Sequence, residues 1–583
     1  MAVIGLHENV FKPHTGTKTS VLLVQKWDDD LCPRREDYPV FFATMRKPGK
    51  DNSGEKIYVR DSDGYIVRDA HYHPIVSHDL YNHEGLTEDG IAEAFIEFAK
   101  REGLSFFGDA RFAEERYRDL VSGLEVSEVM LSDIDLGDRM DAEYFSKSSM
   151  AIKRSLQNVK TVKLGDVAYM VASAFYPAAT QLYSVGDTPF VRCVDCVNYP
   201  VISHDQDATF ERIPRTFATE NKGISMLIRN EIVITKVGTP CYASIVDYDE
   251  VALSRTVMGL KNIRGIDPHY LLMFLRCKYG FGQLMRQREQ TIQFQLTLPR
   301  VKAVDVFVPS EDFQRTISDM VKEYRAMMRE SQSHYTAAQS LLTDSLGHVP
   351  QDPRNTATVS FSRAFSAGRL DAEYFMPKYD ALFAHLEGCP TIGDVCRIHG
   401  ANFTPKNGTQ YSYIELADVG TSGNITGATV ADGSELPTRA RRIVHAGQVI
   451  VSSIEGSLQS CALVTGEHDG ALCSTGFYVI DSDVYNSETL LLLFKSEMIQ
   501  TLMKRGCSGT ILSAISETEL RKIPLPPIYH DTQEQISGHV RDSFTLRRES
   551  QRLISLAVKS VEAAVESGED TAMNLITQEE NSR

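Results

Sequence analysis

The sequence predicts an α+β protein with two similar mixed α/β domains, each followed by a long helix, and a small α/β segment before them. The first observation is an internal duplication: Arg139-Met-Asp-Ala-Glu-Tyr-Phe145 recurs as Arg369-Leu-Asp-Ala-Glu-Tyr-Phe375, and Leu164-Gly-Asp-Val167 as Ile392-Gly-Asp-Val395. An offset of roughly 220–230 residues far exceeds the about 20–50 residues of a solenoid unit, so a whole domain is duplicated. We call residues 137–310 copy 1 and residues 367–528 copy 2.

The second observation is a heptad pattern after each copy. Gln314-x-x-Ile317-Ser318-x-x-Val321 recurs as Gln533-x-x-Ile536-Ser537-x-x-Val540. Steps of alternating four and three residues are typical of a coiled-coil seam. The apolar seam residues are Ile317, Val321, Tyr324, Met328, Tyr335 and Leu342 in the first helix, and Ile536, Val540, Ile554 and Val561 in the second. Ser and Arg also occupy seam positions, so we expect the two helices to pair antiparallel within one chain; packing of each on its own domain is the alternative.

The elements follow from local patterns. Before copy 1, apolar runs at Thr19–Val24 and Tyr38–Ala43 predict strands, and Ile91, Phe95 and Phe98 share one face of a helix predicted over Glu88–Arg101. Gly49–Gly54 and Asp61–Gly64 predict turns. The remaining predictions are a helix after each Asp-Ala-Glu-Tyr-Phe motif, strands at Ile232–Val237 and Val449–Ile454, helical segments at Pro268–Arg288 and Ser487–Lys504, and a final strand leading to Pro309 and to Pro527.

Composition sets limits on function. No run approaches the about 20 apolar residues of a membrane span, and no secretory signal is evident, so we expect a cytoplasmic protein. The net charge of −17 argues mildly against nucleic-acid binding. However, a binding footprint is local, and basic clusters lie at Arg286–Arg288, Arg439–Arg442 and Lys504-Arg505.

The ten cysteines are scattered, which favours free thiols in a reducing compartment. Cys193-Val-Asp-Cys196 lacks the second pair of a closed zinc site. Aligning Phe190–Cys196 on Tyr413–Val419 places Leu416 and Val419 at the cysteine positions. We therefore favour buried thiols and predict no metal site.

These motifs resemble the specificity subunit of type I restriction-modification systems. The resemblance covers about residues 137–567 and rests on the Asp-Ala-Glu-Tyr-Phe openings, the Gly-Asp-Val segments, the Pro-Leu-Pro-Pro527 exit and the paired long helices. It implies two target-recognition domains joined by two antiparallel coiled-coil helices. Each domain would read one half of a split DNA sequence, while the helices would set the spacing and dock methyltransferase subunits. The subunit itself would carry out no chemistry, so no catalytic residue is predicted.

The first 105 residues resemble the C-terminal part of an N6-adenine DNA methyltransferase subunit. The matching segments are Glu8–Leu23, Tyr38–Phe42 and Gly49–Gly54. The sequence has no Asn/Asp-Pro-Pro-Tyr/Phe catalytic tetrapeptide, and no Gly-rich loop follows a strand before these segments to hold S-adenosylmethionine. We therefore expect no cofactor on this chain alone and S-adenosylmethionine on a partner. Two interpretations stay open: half of a split methyltransferase that completes an active site in trans, or a segment that docks on an intact enzyme.

The predicted domain boundaries combine these arguments. They are 1–105 for the methyltransferase-like segment, 106–136 for an acidic linker, 137–310 for the first target-recognition domain, 311–347 for the first coiled-coil helix, 348–366 for a linker, 367–528 for the second target-recognition domain, 529–567 for the second helix and 568–583 for a disordered acidic tail.

Candidate DNA contacts lie where the copies share a frame and differ in side chains. Gly238 and Gly456 fall at equivalent places after a strand, and a second loop spans Thr291–Gln295 and its counterpart at Thr510. Each could also be an ordinary surface turn. The candidates are Lys236, Thr239, Tyr242, Thr291, Gln293, Gln295, Ser457, Gln459 and Thr510 for base reading, and Arg439, Arg441, Arg442, Lys504 and Arg505 for phosphates.

We therefore expect a non-catalytic subunit that reads a bipartite target in double-stranded DNA. Its expected partners are two DNA adenine methyltransferase subunits, with a restriction or translocase subunit as a further candidate, and no membrane. The split methyltransferase is one rival, and a scaffold whose recognition domains bind protein is another.

Overall fold

The computed structural model describes residues 1–30, 33–104, 111–135, 139–204, 210–288, 295–350, 352–509 and 513–581. It contains two compact units, one of Met1–Tyr324 with Arg552–Arg583 and one of Arg325–Gln551. Copy 1 lies in the first unit and copy 2 in the second. Over the described ranges, no helix combines the length and the apolar character that crossing a membrane requires.

The N-terminal segment forms a four-stranded sheet. Its strand order is Ser20–Leu23, Ala2–Gly5, Pro39–Thr44, Val126–Met130, and Ala2–Gly5 pairs in parallel with Pro39–Thr44. Helices Ile91–Arg101 and Glu114–Gly123 contribute apolar side chains to the core on one side of the sheet. The predicted acidic linker at 106–136 is therefore wrong: its last part supplies a helix and an edge strand. Val126 and Val129 lie on opposite faces of this strand and are buried in the two apolar clusters that flank the sheet, so the strand forms despite the acidic composition.

The turns predicted at Gly49–Gly54 and Asp61–Gly64 belong to a set of three. Asp51, Asp61 and Asp69 each accept backbone N–H groups from residues two and four positions later, as in an Asx turn. Behind the turns, the backbones of Val59, Val67 and Ile75 bond to one another in a closed ring, because each N–H reaches the carbonyl of another member at 2.9–3.0 Å. Residues 48–78 thus form a small unit of three turns that backbone hydrogen bonds hold together.

The duplication extends to sheet topology. The first sheet runs Tyr169–Ala172, Val257–Lys261, Ile232–Thr235, Ala243–Val246 in copy 1, and Cys396–His399, Phe477–Ser482, Val449–Ser452, Cys461–Leu463 in copy 2. All these neighbours are antiparallel, and copy 1 adds Val201–Ile202. The second sheet runs Arg212–Ile213, Thr188–Val191, Val251–Leu253, Met226–Leu227 in copy 1, and Thr429–Asp432, Gln410–Ile414, Leu472–Ser474, Ala440–Ile443 in copy 2.

Short elements complete both copies. Their helices are Lys147–Gln157, Leu164–Val167, Cys193–Asn198, Arg215–Glu220, Pro268–Arg276, Lys278–Arg286 and Leu298–Lys302 in copy 1, and Pro377–His385, Ile392–Val395, Ser487–Lys495, Glu497–Gly506 and Glu517–Arg521 in copy 2. Strands Thr161–Lys163 with Asp305–Phe307, and Cys507–Ser508 with Ala514–Ile515, form two-stranded pairs. The helical segments predicted as continuous are each interrupted, at Cys277 and at Ser496, where the backbone is extended.

The long helices span Glu311–Leu346 and His530–Ser567. All ten apolar seam residues are buried. Within the second unit the helices run antiparallel: the Ser550 hydroxyl lies 3.2 Å from Met328 Sδ, and the Ser331 and Ser543 hydroxyls lie 2.9 Å apart. Buried serines on one helix thus find partners on the other, which explains polar residues in the seam. The predicted fold class is confirmed.

The repeated glutamines anchor each helix to its copy. Gln314 Oε1 accepts the N–H of Asp267, the N-cap of Pro268–Arg276, at 2.9 Å. Gln533 Oε1 accepts the N–H of Asn486, the N-cap of Ser487–Lys495, at 2.8 Å. The repeated glutamine therefore forms the same contact between a long helix and its domain in both copies.

Two predicted irregular regions contain helices. The tail, predicted to be disordered, forms helix Glu569–Asn581, in which Ala572 and Ile576 are buried. Its first residue, Glu569, accepts the N–H of Ser310 at 3.0 Å, so the acidic side chains are used in contacts. The predicted linker 348–366 includes the start of helix Phe361–Ala367, whose N-cap Ser360 accepts the N–H of Arg363.

The serine pair predicts a stability pattern. Ser331→Ala should lower the free energy of unfolding by about 1–3 kcal/mol, because it leaves the buried Ser543 hydroxyl without this partner. Ser331→Ala with Ser543→Ala should cost less than the sum of the two single changes. Urea unfolding of the full chain measures this, with exposed Ser333→Ala as the matched control. Equal effects of Ser331→Ala and Ser333→Ala would contradict the assignment.

Candidate nucleic-acid interface

In copy 1 the structure brings the two predicted loops together. The hairpin that follows Ile232–Thr235 carries Lys236, Thr239 and Tyr242, and Val237 forms a β-bridge with Gln295. The N–H of Leu296 donates to the Lys236 carbonyl at 3.0 Å. Thr291 and Gln293 lie outside the described residues. Exposed Thr239 and Gln295 therefore belong to one surface that was predicted as two separate loops.

Copy 2 repeats this junction. Ile454 forms the equivalent β-bridge with Ala514, and the N–H of Ile515 donates to the Ser453 carbonyl at 2.8 Å. Gln459 is exposed, whereas the half-buried Ser457 hydroxyl lies 3.0 Å from Ser452 Oγ. Thr510 lies outside the described residues. Gln459 is thus available to a ligand, and Ser457 braces the loop.

These contacts correct the register of the duplicated loops. They pair Lys236 with Ser453 and Val237 with Ile454, so Gly238 and Gly456 are displaced by one position. Gly238 has φ +86° and requires glycine at this turn. Gly456 lies in a short 3-10 turn, where an added Cβ would meet open space. The two glycines are not equivalent, and the prediction that they are is wrong.

A third segment contacts the same hairpin in each copy, and the sequence did not predict it. We call the hairpin, the bridging segment and this turn the three-segment frame. The N–H of Lys236 donates to Thr256 O at 2.9 Å, and the N–H of Ser453 donates to Gly476 O at 2.8 Å. Each acceptor ends a turn, Ser254–Thr256 or Ser474–Gly476, and the central residues are exposed Arg255 and exposed Thr475. In Leu253-Ser-Arg-Thr-Val257, a single arginine in a short polar segment between strands carries no signal of such a role.

Arg255 is positioned by an aromatic neighbour. Its N–H donates to the Tyr176 hydroxyl at 3.1 Å, and its guanidinium lies 5.1 Å from the Tyr176 ring centroid. The preceding residue, Phe175, is 81% exposed. An oriented, exposed guanidinium suits contacts with base edges, and an exposed aromatic ring suits stacking on bases.

Two candidates in copy 1 are largely structural. Tyr242 packs its ring edge-on to Phe281, with centroids 5.5 Å apart, and its N–H donates to Thr235 Oγ1. Lys236 is half-buried, and this desolvation lowers the pKa of its ammonium group. The Lys236 side chain is therefore less accessible to a phosphate than the exposed Thr239 of the same loop.

The arginine cluster of copy 2 divides in the structure. Arg439 and Arg441 are exposed; the Arg439 guanidinium lies 3.3 Å from Glu415, and Arg441 Nε donates to Thr438 O. Arg442 is half-buried, donates to the Phe477 carbonyl and lies over the Tyr478 ring. The Arg439 carbonyl accepts the N–H of Thr475, so the exposed pair lies beside the third segment. Of this cluster, Arg439 and Arg441 remain suitable for phosphates.

Arg505 belongs to a structural latch. Its guanidinium lies 4.1 Å from the Tyr374 ring centroid, Arg369 lies 4.8 Å from the same ring, and Arg505 Nε donates to Tyr374 O. Copy 1 has the same stack, with Arg286 at 3.9 Å and Arg139 at 4.9 Å from the Tyr144 ring. The duplicated Arg-x-Asp-Ala-Glu-Tyr-Phe motif thus closes each domain. Lys504, beside Arg505, is exposed.

The cysteine alignment is supported by equivalent hydrogen bonds. The Asp195 carboxylate accepts the N–H of Arg192 at 2.7 Å, and Asp418 accepts that of Glu415 at 2.8 Å. Cys196 is fully buried in an apolar cluster, and burial raises the pKa of its thiol. Cys193 Sγ donates to Thr239 O at 3.3 Å and so supports the loop. Over the described ranges, no cluster of three or more potential metal ligands is present.

No protein-family model and no curated protein matches the sequence. Solved structures do. One is the type I restriction-modification S subunit from M. genitalium, with 10% identity over 70% of this chain and 96% of that chain and a TM-score of 0.34. Another is the HsdS subunit from Thermoanaerobacter tengcongensis, with 15% identity over 70% and 97% and a TM-score of 0.23. The type IIG restriction endonuclease BpuSI is 11% identical over 36% and 33%, with a TM-score of 0.26. The structural neighbours thus include S subunits, the family that the sequence motifs resemble.

The latch predicts that Arg505 acts on stability. Arg505→Ala should lower the free energy of unfolding by about 1–3 kcal/mol, because it removes ring contacts and a partly buried hydrogen bond. Lys504→Ala, the adjacent exposed control, should stay within about 0.5 kcal/mol. Thermal unfolding of the two variants measures this difference in stability. Similar unfolding midpoints would show that Arg505 has no latch role.

Proposed function

We propose that this chain is the sequence-specific, double-stranded DNA recognition subunit of a type I-like restriction-modification, or related phage-defence, methyltransferase complex. The observation that carries the proposal is the three-segment frame present in both copies. The same backbone hydrogen bonds present Arg255 and Gln295 in copy 1, where copy 2 has Thr475 and Ala514. A shared frame with different side chains at equivalent positions suits two domains that read two different base sequences.

The charge distribution agrees with this role. Although the chain carries a net charge of −17, exposed Arg439 and Arg441 lie beside the frame in copy 2, and Arg255 lies within it in copy 1. Phosphate contacts need only such local groups. Methyl transfer is assigned to partner adenine methyltransferase subunits that hold S-adenosylmethionine, and a restriction or translocase subunit would join the same complex.

Base reading and phosphate binding should separate in variants. Arg255→Ala should cost about 1–3 kcal/mol of discrimination at one base pair, in only one block of the target. Arg439→Ala with Arg441→Ala should instead weaken binding to every sequence and reduce the salt slope by about 0.9 per lost phosphate contact.

The measurement is DNA affinity against salt for a randomised target library. Arg397→Ala, an exposed arginine paired with Asp481, is the matched control and should change neither quantity. A change of sequence preference in the Arg439/Arg441 variant with an unchanged salt slope would reverse the two roles. Absence of any sequence preference in the unaltered chain would contradict the proposed function.

The long helices should set the length of the spacer between the two blocks. One heptad inserted into both helices adds about 10 Å. At about 3.4 Å per base pair, the preferred spacer should grow by about three base pairs while both blocks stay the same. The same seven residues inserted at 353–358, outside the helices, are the control. An unchanged spacer preference would show that the helices are not the ruler.

A further inference from the structure

In copy 1 the outer face of the Asp-Ala-Glu-Tyr-Phe motif is covered by the N-terminal sheet. The Phe145 ring stacks on Phe42 of strand Pro39–Thr44, with centroids 4.3 Å apart. Ala142 is buried, and an added Cβ on Gly5 would lie 3.3 Å from Ala142 Cβ. The sheet therefore lies in direct contact with the motif.

Polar contacts secure the same interface. The Glu125 carboxylate accepts the N–H of Lys147 at 2.7 Å, and the Lys147 ammonium group donates to the carbonyls of Val121 and Leu124 at the end of Glu114–Gly123. Residues 1–44 and 114–130 thus use both apolar and polar groups to cover one face of copy 1.

Copy 2 lacks this sheet and presents only part of the equivalent face to solvent. Phe375, at the position of Phe145, is buried against Ala364 and Val359 of the preceding segment. Leu370, at the position of partly buried Met140, is 82% exposed, and Ala372, at the position of buried Ala142, is exposed. Helix Phe361–Ala367 adds Phe361 and Phe365, which stack on each other and are 75% and 76% exposed. We call Phe361, Phe365, Leu370 and Ala372 the copy-2 apolar surface.

Exposed apolar residues on this scale mark interaction sites. The duplication indicates what kind of partner fits, because in copy 1 the positions equivalent to Leu370 and Ala372 are covered by a four-stranded sheet. A second copy of this chain is a poor candidate, since its own Phe42 is already stacked on its own Phe145.

We propose that the copy-2 apolar surface docks the equivalent sheet of a separate adenine methyltransferase subunit. This inference rests on the proposed function in one respect, namely that such a subunit is a partner. The chain then carries one docking sheet in cis, on copy 1, and receives one in trans, on copy 2. The two copies are alike in fold and unlike in how this face is covered.

The test uses the full-length chain and the purified DNA adenine methyltransferase subunits of the same organism. Phe361→Ser, Phe365→Ser and Leu370→Ser combined should weaken the complex at least tenfold in isothermal titration calorimetry. Ala372→Arg alone should act in the same direction, because it places a long charged side chain on the surface. Val430→Ser with Val484→Ser, two exposed valines elsewhere in copy 2, is the matched control and should bind like the unaltered chain.

DNA binding by each variant alone separates the possible outcomes. Retained DNA binding with loss of the methyltransferase supports the inference. Retained DNA binding with unchanged methyltransferase affinity, or no binding by the unaltered chain, overturns it and leaves DNA recognition intact. Failure of the unaltered chain to select DNA sequences contradicts the proposed function instead.

Sedimentation velocity of the chain alone tests for self-association. Self-association that the triple variant abolishes would make the occupant a second copy and overturn the inference.

Discussion

A tyrosine held between two guanidinium groups joins the beginning of each copy to its end. Arg369 and Arg505 flank Tyr374, and the Arg369 guanidinium also donates to the carbonyl of Cys507 at 2.8 Å. Cys507–Ser508 pairs with Ala514–Ile515, and Ala514 bridges to Ile454 in the hairpin loop. The stack thus fixes, through two short strand pairs, the segment that completes the candidate interface. Cation–π contacts contribute about 0.5–2 kcal/mol each, so two around one ring make a substantial local restraint.

The three-segment frame allows one domain fold to carry different side chains in its two copies. Backbone groups make the contacts that both copies share between hairpin, turn and bridging segment. The side chains at the ends of these loops are therefore not needed to hold the loops together. Arg255 and Thr475 occupy the same turn position with different chemistry. Residues with an internal partner, such as Tyr242, Ser457 and Arg442, cannot vary as freely because each supports its own loop or sheet.

The copies differ most at a face remote from the candidate DNA-reading loops in sequence. In copy 1 the N-terminal sheet buries Ala142 and stacks on Phe145, while in copy 2 Leu370 and Ala372 remain exposed. In both copies the motif closes the domain on its inner side, through Tyr144 or Tyr374, and in copy 1 it is also a contact surface on its outer side.

Sequence by itself determined the duplication, the strand and helix succession and the seam of the long helices, because recurrence and periodicity are local signals that survive without coordinates. It failed where a residue's partner decides its role. Arg505 and Arg255 look alike in a sequence, and each guanidinium lies over a tyrosine ring, but Arg505 is half-buried whereas Arg255 is exposed in a turn. Polar composition likewise concealed strand Val126–Met130 and helix Glu569–Asn581, whose stability comes from pairing with Pro39–Thr44 and from contacts such as Ser310 with Glu569. Only the tertiary structure could decide these, since hydrogen bonding and burial depend on residues distant in the chain.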